Sequence, residues 1–427
     1  MEGAIVFLIL ILLVFISVPV AFSMIAVSIG VYVFVADIPL SVVVQNLYFN
    51  IRSYSYSAIP YFILAGTIMA HGTLARKLLD ITEALVGWIP AGLAISMVVG
   101  SALFGSITGS DLATLAAIGG IMFPALVARG YPKTFVAGIL GPSALLGMLI
   151  PPSIPDVLYA LVAEVSVMKL FLAGVMPALL VVLFFSIYIF FMSRRFFPDR
   201  KFRRPELRKI GSSLKNGVTA LGMPVIIFGG IYGGIFTVTE AAAAAAGYAL
   251  FIEVFVHRGV KVKELPGLML ETGTTSAVVL FLVSGAMVLA RYLTLEQIPQ
   301  MWAGYVFGFV HNKWIFMIIV NFFLLVTGCL MDVVSAMVIL VPILKEMYNS
   351  FGIDEIYFGQ IFLLNFFIGY LTPPVGINIF VVSSMFNVPF ADLCRRYVPY
   401  FFMLVLVLVL MIFFPPLTLW LPGLFFR

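Results

Sequence analysis

The sequence of 427 residues has very little charge, since Asp, Glu, Lys and Arg together make up only 10% of it. In soluble domains these four types account for about a quarter of the residues. Hydrophobic residues make up 63% of the chain, so most of them must face lipid or pack against other membrane helices. The composition therefore excludes an ordinary soluble domain and predicts a protein that crosses the membrane many times.

The chain is equally poor in the residues that catalytic and metal sites need. Its three histidines are scattered, and Cys329 and Cys394 lie far apart, with neither a disulfide framework nor a metal-ligand spacing. We find no Walker motif and no nucleophile–base constellation, so we expect no enzyme activity. The net charge of +5 resides in loops between apolar runs, which indicates membrane topology and not a nucleic-acid partner. Energy for any transport must then come from an ion gradient or a partner.

The apolar runs differ in length. Residues 1–34 have no basic residue at their start, unlike a signal peptide, so we expect a first span that is retained. The runs at 38–51 and 333–344 are shorter than the roughly 20 residues that a crossing helix needs. Short runs in a transporter indicate re-entrant hairpins or broken helices, although 38–51 could instead lie on the membrane surface.

One segment, Arg194–Lys215, interrupts the apolar pattern with nine basic and two acidic residues. Because cytoplasmic loops are rich in Lys and Arg, we interpret it as a solvated cytoplasmic connector. It divides the chain into a first repeat at 1–197, a basic linker at 198–216 and a second repeat at 217–427.

The two halves resemble each other. Leu146–Pro152 aligns with Ile368–Pro374 at an offset of 222, and the same offset places Gly130 on Gly352. With the linker inside, 18 of the 24 basic residues fall inside and 6 outside, and matching elements run in opposite directions. The sequence therefore predicts an all-α polytopic membrane protein of two inverted-topology repeats, as in alternating-access carriers. Each repeat is expected to contain scaffold helices, a re-entrant hairpin (88–128 and 300–349) and a broken helix (134–163 and 356–383).

Four polar stretches interrupt the apolar sequence, at Gly105–Asp111, Ile150–Asp156, Thr327–Asp332 and Leu371–Asn378. Two adjacent prolines remove two backbone donors, and glycines permit tight turns. Backbone freed from helical bonding at membrane depth needs protein, water or a bound ion as its partner. Unwound carbonyls with Ser, Thr and Asn oxygens suit Na⁺, and half-helix N-termini can hold a substrate carboxylate. The alternative for each Pro-Pro pair is a kink between packed helices.

Two carboxylates lie inside these stretches. Asp111 and Asp332 each precede a helical run, so they either approach an ion site or cap a helix. Glu240 follows two threonines and opens an alanine-rich run, which favours capping. The residues that we expect at the substrate are Asp111, Ser153, Asp156, Val375 and Asn378.

An ordered set of motifs resembles the large membrane subunit of the tripartite ATP-independent periplasmic (TRAP) transporters. The resemblance covers nearly the whole chain, and although single motifs are modest, their order is specific. The motifs are Pro60–Gly66, Ala116–Gly119, Ile150–Ser153, Phe171–Gly174, Gly234–Ala241, Met331–Asp332 and Leu371–Gly376.

The resemblance implies an elevator-type secondary transporter in the inner membrane of a bacterial cell. It implies Na⁺-coupled uptake of a small organic acid, a small membrane subunit of about four spans and a periplasmic binding protein that delivers the acid. Two Na⁺ sites are implied, each between a hairpin tip and a broken helix. The first would use Ser106, Gly109, Ser110, Pro151 and Pro152, and the second Thr327, Gly328, Asp332, Thr372, Pro373 and Gly376.

Two positions depart from the family pattern. Asp111 stands where many relatives carry a small residue, and Pro155-Asp156 is also unusual, which would suit a substrate with a positive or polar group. Two other hypotheses remain open. The chain could be a proton-coupled organic-anion carrier or antiporter that works without a binding protein, with Asp111 and Asp332 as proton sites. It could also be a channel, for which paired broken repeats are not typical.

Overall fold

A computed structural model describes residues 2–16, 18–35, 38–193 and 205–426, and all regular structure in these ranges is helical. The part before the linker contains α1 (Glu2–Phe15), α2 (Val20–Phe34), α3 (Leu40–Asn50), α4 (Ala58–His71), α5 (Leu74–Val86), α6 (Gly92–Thr108), α7 (Asp111–Ala128), α8 (Lys133–Ala144), α9 (Leu146–Leu149), α10 (Ile154–Ala163) and α11 (Val167–Ser193).

The part after the linker continues the helical pattern. It contains α12 (Leu207–Asn216), α13 (Val218–Pro224), α14 (Gly230–Tyr232), α15 (Val238–Phe251), α16 (Leu265–Leu295), α17 (Ile298–Phe309), α18 (Lys313–Gly328), α19 (Val333–Ser350), α20 (Glu355–Gly369), α21 (Ile377–Phe386), α22 (Phe390–Phe413) and α23 (Pro416–Phe425). π-helical turns follow α13 (Val225–Gly229) and α15 (Ile252–Val256).

The predicted all-α, polytopic architecture is confirmed. Within the described ranges, six helices are long and apolar enough to cross a membrane, or up to nine spans if each of three bent pairs counts as one. One of these pairs, Lys133–Leu149 with Ile154–Ala163, bends by 43° at the Pro151–Pro152 break. Because two consecutive prolines remove backbone donors, the helix ends at this point and begins again after it.

The same order of elements occurs in each half. In the first, α6 and α7 pack against each other and precede α8 to α10; in the second, α18 and α19 precede α20 and α21. The second pair begins only at Lys313, because residues 298–309 form the separate helix α17 and Asn312 starts α18 by accepting a hydrogen bond from the Trp314 N–H. The second half therefore has one helix more than the predicted hairpin of 300–349 allows for.

The N-terminal apolar run differs from its prediction as a single span. It forms two helices, α1 and α2, which contact each other, and Pro19 stands at the start of the second. The short run at 38–51 forms the 11-residue helix α3, which packs on α2 and α16. Residues 194–204 of the basic connector lie outside the described residues, and its remainder forms the amphipathic helix α12 against α5.

The helix α5 links α4 to α6 and is held at its N-terminus by a carboxylate from the second half. Glu253 is fully buried, and its Oε1 accepts the backbone N–H groups of Thr73 at 2.7 Å and Leu74 at 2.6 Å. The Thr73 hydroxyl donates to Oε2 at 3.2 Å. Gly72 and Gly259 provide the necessary space, since a Cβ at either position would overlap the carboxylate. A side chain after α15 thus supplies the N-terminal cap of α5.

A histidine beside this cap joins three segments at one end of the molecule. His257 Nε2 lies 2.8 Å from the Thr219 hydroxyl, and the Lys77 ammonium lies 3.1 Å from the same nitrogen. Lys77 also donates to the Asn216 carbonyl at 3.2 Å. Burial, and then the Lys77 charge, lower the pKa of His257 below its usual 6.5, although Glu253 opposes this shift. The arrangement favours the neutral imidazole.

Candidate functional site

The turn between α6 and α7 lies directly against the break between α9 and α10. Gly109 has φ +61°, a conformation that glycine adopts without strain. Its carbonyl accepts the Ile154 N–H at 3.3 Å, and the Pro152 carbonyl and Ser153 Cα also lie against Gly109. The two polar stretches of the first half therefore form one cluster, with Pro151, Pro152 and Ser153 buried.

A pair of glycines brings the helices together in each half. A Cβ on Gly105 would overlap the backbone of Gly147, and a Cβ on Gly369 would overlap the backbone of Gly328. The two pairs correspond through the repeat, because Gly105 aligns with Gly328 at an offset of 223 and Gly147 with Gly369 at 222. In both halves the first half-helix of the broken element thus approaches the hairpin at backbone distance.

The turn between α18 and α19 meets the second break through Tyr370. Asp332 caps α19 by accepting the Ser335 N–H at 3.0 Å. The backbone N–H of Val333, the residue after Asp332, donates to the Tyr370 hydroxyl at 2.9 Å. The Thr372 hydroxyl donates to the Ile368 carbonyl at 2.8 Å and lies near Cys329. Hairpin turn and Pro-Pro break are therefore neighbours in the second half as well. The peptide bonds Pro151–Pro152 and Pro373–Pro374 are both cis.

The two breaks differ in exposure. The first is closed by surrounding helices, whereas Pro373, Pro374 and Val375 are exposed, with Val375 at 45%. The backbone groups of the exposed second break are therefore accessible from outside the helix bundle. Val375, predicted to contact substrate, does not share the buried environment of the other substrate candidates.

Polar side chains from the second half-helices reach across to the opposite repeat. Asp156 in the first turn of α10 is 1% exposed, and it accepts hydrogen bonds from Ser153 Oγ at 2.7 Å and from Gln360 Nε2 of α20 at 2.8 Å. Asn378 occupies the equivalent place in α21, at an offset of 222, and donates to the Gly141 carbonyl of α8 at 3.2 Å. Each break is therefore hydrogen-bonded to the first half-helix of the other repeat.

Asp111 lies between these elements. It is the first residue of α7 and only 6% exposed, and its Oδ1 accepts the Leu112 N–H at 2.8 Å. Ser110, not Asp111, is the cap of α7, since its hydroxyl accepts the Ala113 N–H at 3.4 Å. The Asp111 carboxyl points toward the Asn378 side chain, and Tyr370 interacts electrostatically with both Asp111 and Asp332.

The structure thus groups the predicted residues into two turn–break clusters with Asp111 and Asn378 between them. Ser106 is 2% exposed and donates to the Leu103 carbonyl at 2.8 Å, and Thr327 donates back along its own helix to Phe323 at 3.0 Å. Glu240 takes the predicted capping role, because it forms a capping box with Thr237 at the start of α15.

Two polar residues at these clusters were not predicted from the sequence. Gln360 was not singled out, yet it donates to Asp156; Tyr370 was only part of the repeat match, yet it accepts the Val333 N–H and interacts electrostatically with Asp111 and Asp332. A polar side chain in an otherwise apolar half-helix was the available pattern for both.

Known proteins resemble this chain over most of its length. The sequence model of the family described as "Tripartite ATP-independent periplasmic transporter, DctM component" matches residues 7–417. The C4-dicarboxylate TRAP transporter large permease protein DctM of Pseudomonas aeruginosa is 40% identical over 394 residues, 92% of each chain. The ectoine/5-hydroxyectoine TRAP transporter large permease protein UehC of Ruegeria pomeroyi is 36% identical over 388 residues, covering 90% of this chain and 89% of that one.

A solved structure resembles the fold. The crystal structure of the Alcanivorax borkumensis YdaH transporter matches with a TM-score of 0.62 at 12% identity, over 89% of this chain and 90% of that chain. At this identity the similarity concerns the architecture alone.

Proposed function

Because the chain belongs to the DctM component family of tripartite ATP-independent periplasmic transporters, we propose that it carries a small organic acid into the bacterial cell together with Na⁺. The family consists of transporter permeases and not of enzymes. The proposal includes two partners, a small membrane subunit of about four helices and a periplasmic binding protein that delivers the acid.

One observation carries the proposal: in each half, a hairpin turn lies against a Pro-Pro break. The contacts are Ile154 N–H to the Gly109 carbonyl in the first half and Val333 N–H to the Tyr370 hydroxyl in the second. Backbone carbonyls at such breaks are not used by a continuous helix, so they remain available to a cation. Hydroxyl and carbonyl oxygens are hard ligands, which suits Na⁺ better than a transition metal.

In the proposed mechanism, Na⁺ binds between each turn and its break. The first ion would be held by Ser106, Gly109, Ser110, Pro151 and Pro152, and the second by Thr327, Gly328, Asp332, Thr372, Pro373 and Gly376. Bound Na⁺ offsets the negative ends of the carbonyl dipoles, and the N-termini of α10 and α21 favour the substrate carboxylate. The loaded unit then crosses the bilayer by an elevator movement, and each net charge carried inward gains about 2.3 kcal/mol per 100 mV.

The substrate class follows from relatives only in outline. One relative is named for C4-dicarboxylates, which are dianions, and another for ectoine and 5-hydroxyectoine, which are zwitterions. We propose for this chain an organic acid within that range.

The test is uptake into proteoliposomes that contain the chain with its small subunit, supplied with its loaded binding protein. We expect uptake only with an inward Na⁺ gradient. Equal uptake in Na⁺-free buffer would reject the coupling, and equal uptake without the binding protein would reject the delivery step.

A pair of threonines allows a matched control for the second Na⁺ site. Thr372 and Thr274 each donate to a carbonyl four residues earlier at 2.8 Å, but Thr274 lies on the exposed surface of α16. Thr372→Val should raise the Na⁺ concentration for half-maximal uptake several-fold, whereas Thr274→Val should not change it.

Proton coupling is a second candidate, because Asp156 is a buried carboxylate whose partners Ser153 and Gln360 are neutral. A buried carboxylate without a cationic partner favours proton uptake. This candidate predicts uptake driven by a pH gradient without Na⁺, and loss of that uptake in Asp156→Asn. Uptake that follows Na⁺ and ignores the pH gradient would reject it.

A further inference from the structure

The Asp111 carboxylate has a hydrogen-bonding capacity that the described chain does not use. Its Oδ1 accepts the Leu112 N–H, whereas Oδ2 is buried with no described donor within hydrogen-bond distance, although the Asn378 amide is close enough to interact favourably with the carboxylate. The helix does not need this carboxylate as its cap, because Ser110 already fills that role. A negative charge at this depth is costly unless a partner arrives.

The neighbouring amide adds a second free acceptor. Asn378 is fully buried and lies beside the Asp111 carboxyl. Its Nδ2 donates to the Gly141 carbonyl, while its Oδ1 has no donor among the described residues. The free atoms at this place are therefore two oxygens that accept hydrogen bonds, one of them on a carboxylate.

No cation of the described chain reaches this pair. The two ion pairs found within the described ranges, His71–Glu271 and Arg129–Glu83, lie elsewhere. The Tyr370 hydroxyl interacts electrostatically with Asp111 and accepts the Val333 N–H, but no described donor, its own O–H included, lies within hydrogen-bond distance of Asp111 Oδ2. Asp111 Oδ2 and Asn378 Oδ1 are therefore suited to accept hydrogen bonds from a cationic group that is not part of the described chain.

The position of the pair indicates the source of that charge. Asp111 belongs to the first repeat and Asn378 to the second, and they meet between the two turn–break clusters. Substrates of inverted-repeat carriers bind at this interface, near the middle of the membrane. Gly109, in contrast, faces the first break, where we placed a Na⁺ ion.

We propose that Asp111 and Asn378 form a subsite for a cationic nitrogen, an ammonium or amidinium group, that the transported acid carries beside its carboxylate. This inference rests on the proposed function, and it narrows the substrate to a zwitterion. The N–H groups of such a nitrogen match two acceptor oxygens, and the carboxylate supplies the opposite charge. The negative charge of a purely anionic acid would be repelled by the Asp111 carboxylate, so such an acid should bind less well.

The first test identifies the natural ligand. The cognate periplasmic binding protein is purified from cells and its bound ligand is determined by mass spectrometry. We expect a compound with both an acid group and a cationic nitrogen. A purely anionic ligand would overturn the subsite.

The second test measures binding to the full chain with its small subunit in nanodiscs. The probes are ectoine, a zwitterion, and succinate, a dianion, and the readout is the concentration for half-maximal thermal stabilisation at saturating Na⁺. Wild type should respond to ectoine at a concentration about tenfold or more below that for succinate, and Asp111→Asn should remove this preference. The partly exposed Asp392→Asn serves as the charge-matched control and should keep the preference.

Three outcomes contradict the proposal: a wild-type preference for succinate, an equal shift of both probes in Asp111→Asn, or, in a parallel titration with Na⁺ at saturating probe, an increased Na⁺ requirement of that variant. The last would make Asp111 a ligand of the coupling ion. If neither probe binds, the ligand found on the binding protein replaces them: a compound with an acid group and a cationic nitrogen supports the subsite, and a purely anionic compound overturns it. Na⁺-driven uptake of a purely anionic acid would refute the subsite alone, whereas absence of Na⁺-driven uptake would refute the proposed function.

Discussion

The anchor of α5 by Glu253 leads to a quantitative prediction for Glu253→Gln. The carboxylate accepts two backbone N–H groups at 2.6 and 2.7 Å in a fully buried place. Hydrogen bonds to a charged group contribute about 1.5–3 kcal/mol each, against about 1 kcal/mol for neutral pairs. Glutamine keeps an accepting oxygen but loses the charge, so we expect local stability to fall by about 2 kcal/mol.

Hydrogen exchange measures this loss where it occurs. A change of about 2 kcal/mol corresponds to roughly 30-fold in the equilibrium for local opening. The amides of Thr73 and Leu74, followed by mass spectrometry in nanodiscs, should therefore exchange about 30-fold faster in the variant. Amides in the core of α20 should be unaffected, because they lie in a separate, fully buried helix.

A matched control is available a short distance further along the chain. Glu264 also accepts a backbone N–H, from Lys261 at 3.0 Å, but it does so at the exposed surface. Exposed substitutions of this kind change stability by less than about 0.5 kcal/mol, so Glu264→Gln should leave the exchange of residues 73–80 unchanged. Equal exchange in wild type and Glu253→Gln would refute the anchoring role of Glu253.

Three further predictions concern other contacts. Gly369→Ala places a methyl group against the backbone of Gly328, so it should cost about 1–3 kcal/mol and lower the melting temperature by several degrees. Gly120→Ala has open space around it and should not lower the melting temperature. Equal melting temperatures of Gly369→Ala and wild type would contradict the close approach of the two glycines. Because the pKa of His257 is lowered, the opened state takes up a proton that the folded state does not, so the contact weakens as pH falls below about 6.5; the protection factors of amides near residue 257, corrected for intrinsic exchange at each pH, should fall on acidification, and His257→Gln should abolish that fall. Asp332→Asn retains an oxygen for the cap but loses charge, so the Na⁺ concentration for half-maximal uptake should rise several-fold; an unchanged value would exclude Asp332 from the ion site.

The meeting of turns and breaks could be predicted because it depends on features that the sequence repeats. Pro151-Pro152 and Pro373-Pro374 interrupt helices for a steric reason that no tertiary context removes. Their common offset of 222 from one half to the other shows that both belong to equivalent elements. The pairing of each break with its own hairpin then follows from the architecture.

Partners from distant segments could not be predicted in the same way. Gln360 and Asp156 are 204 positions apart, and no local pattern states that these two side chains meet. Periodicity also does not reveal where an apolar run reverses direction, so the 1–34 segment looked like one span although it forms two helices. Helices α1 and α2 carry apolar residues on their exposed sides as well as on their packed sides, so they lack the alternation of polar and apolar residues that usually locates such ends.

The cross-repeat contacts constrain how the two breaks can move. Asp156 of α10 is bonded to Gln360 of α20, and Asn378 of α21 is bonded to Gly141 of α8, so each repeat holds the break of the other. A displacement of one break relative to its neighbour would expose buried polar groups, which costs about 1–3 kcal/mol for each lost partner. Movement of both breaks as one unit leaves these bonds intact. The helix α5, in contrast, is fixed at its start by Glu253, so for the proposed elevator movement we expect the bending to lie beyond α5, in the turn where Ala91 adopts a left-handed backbone.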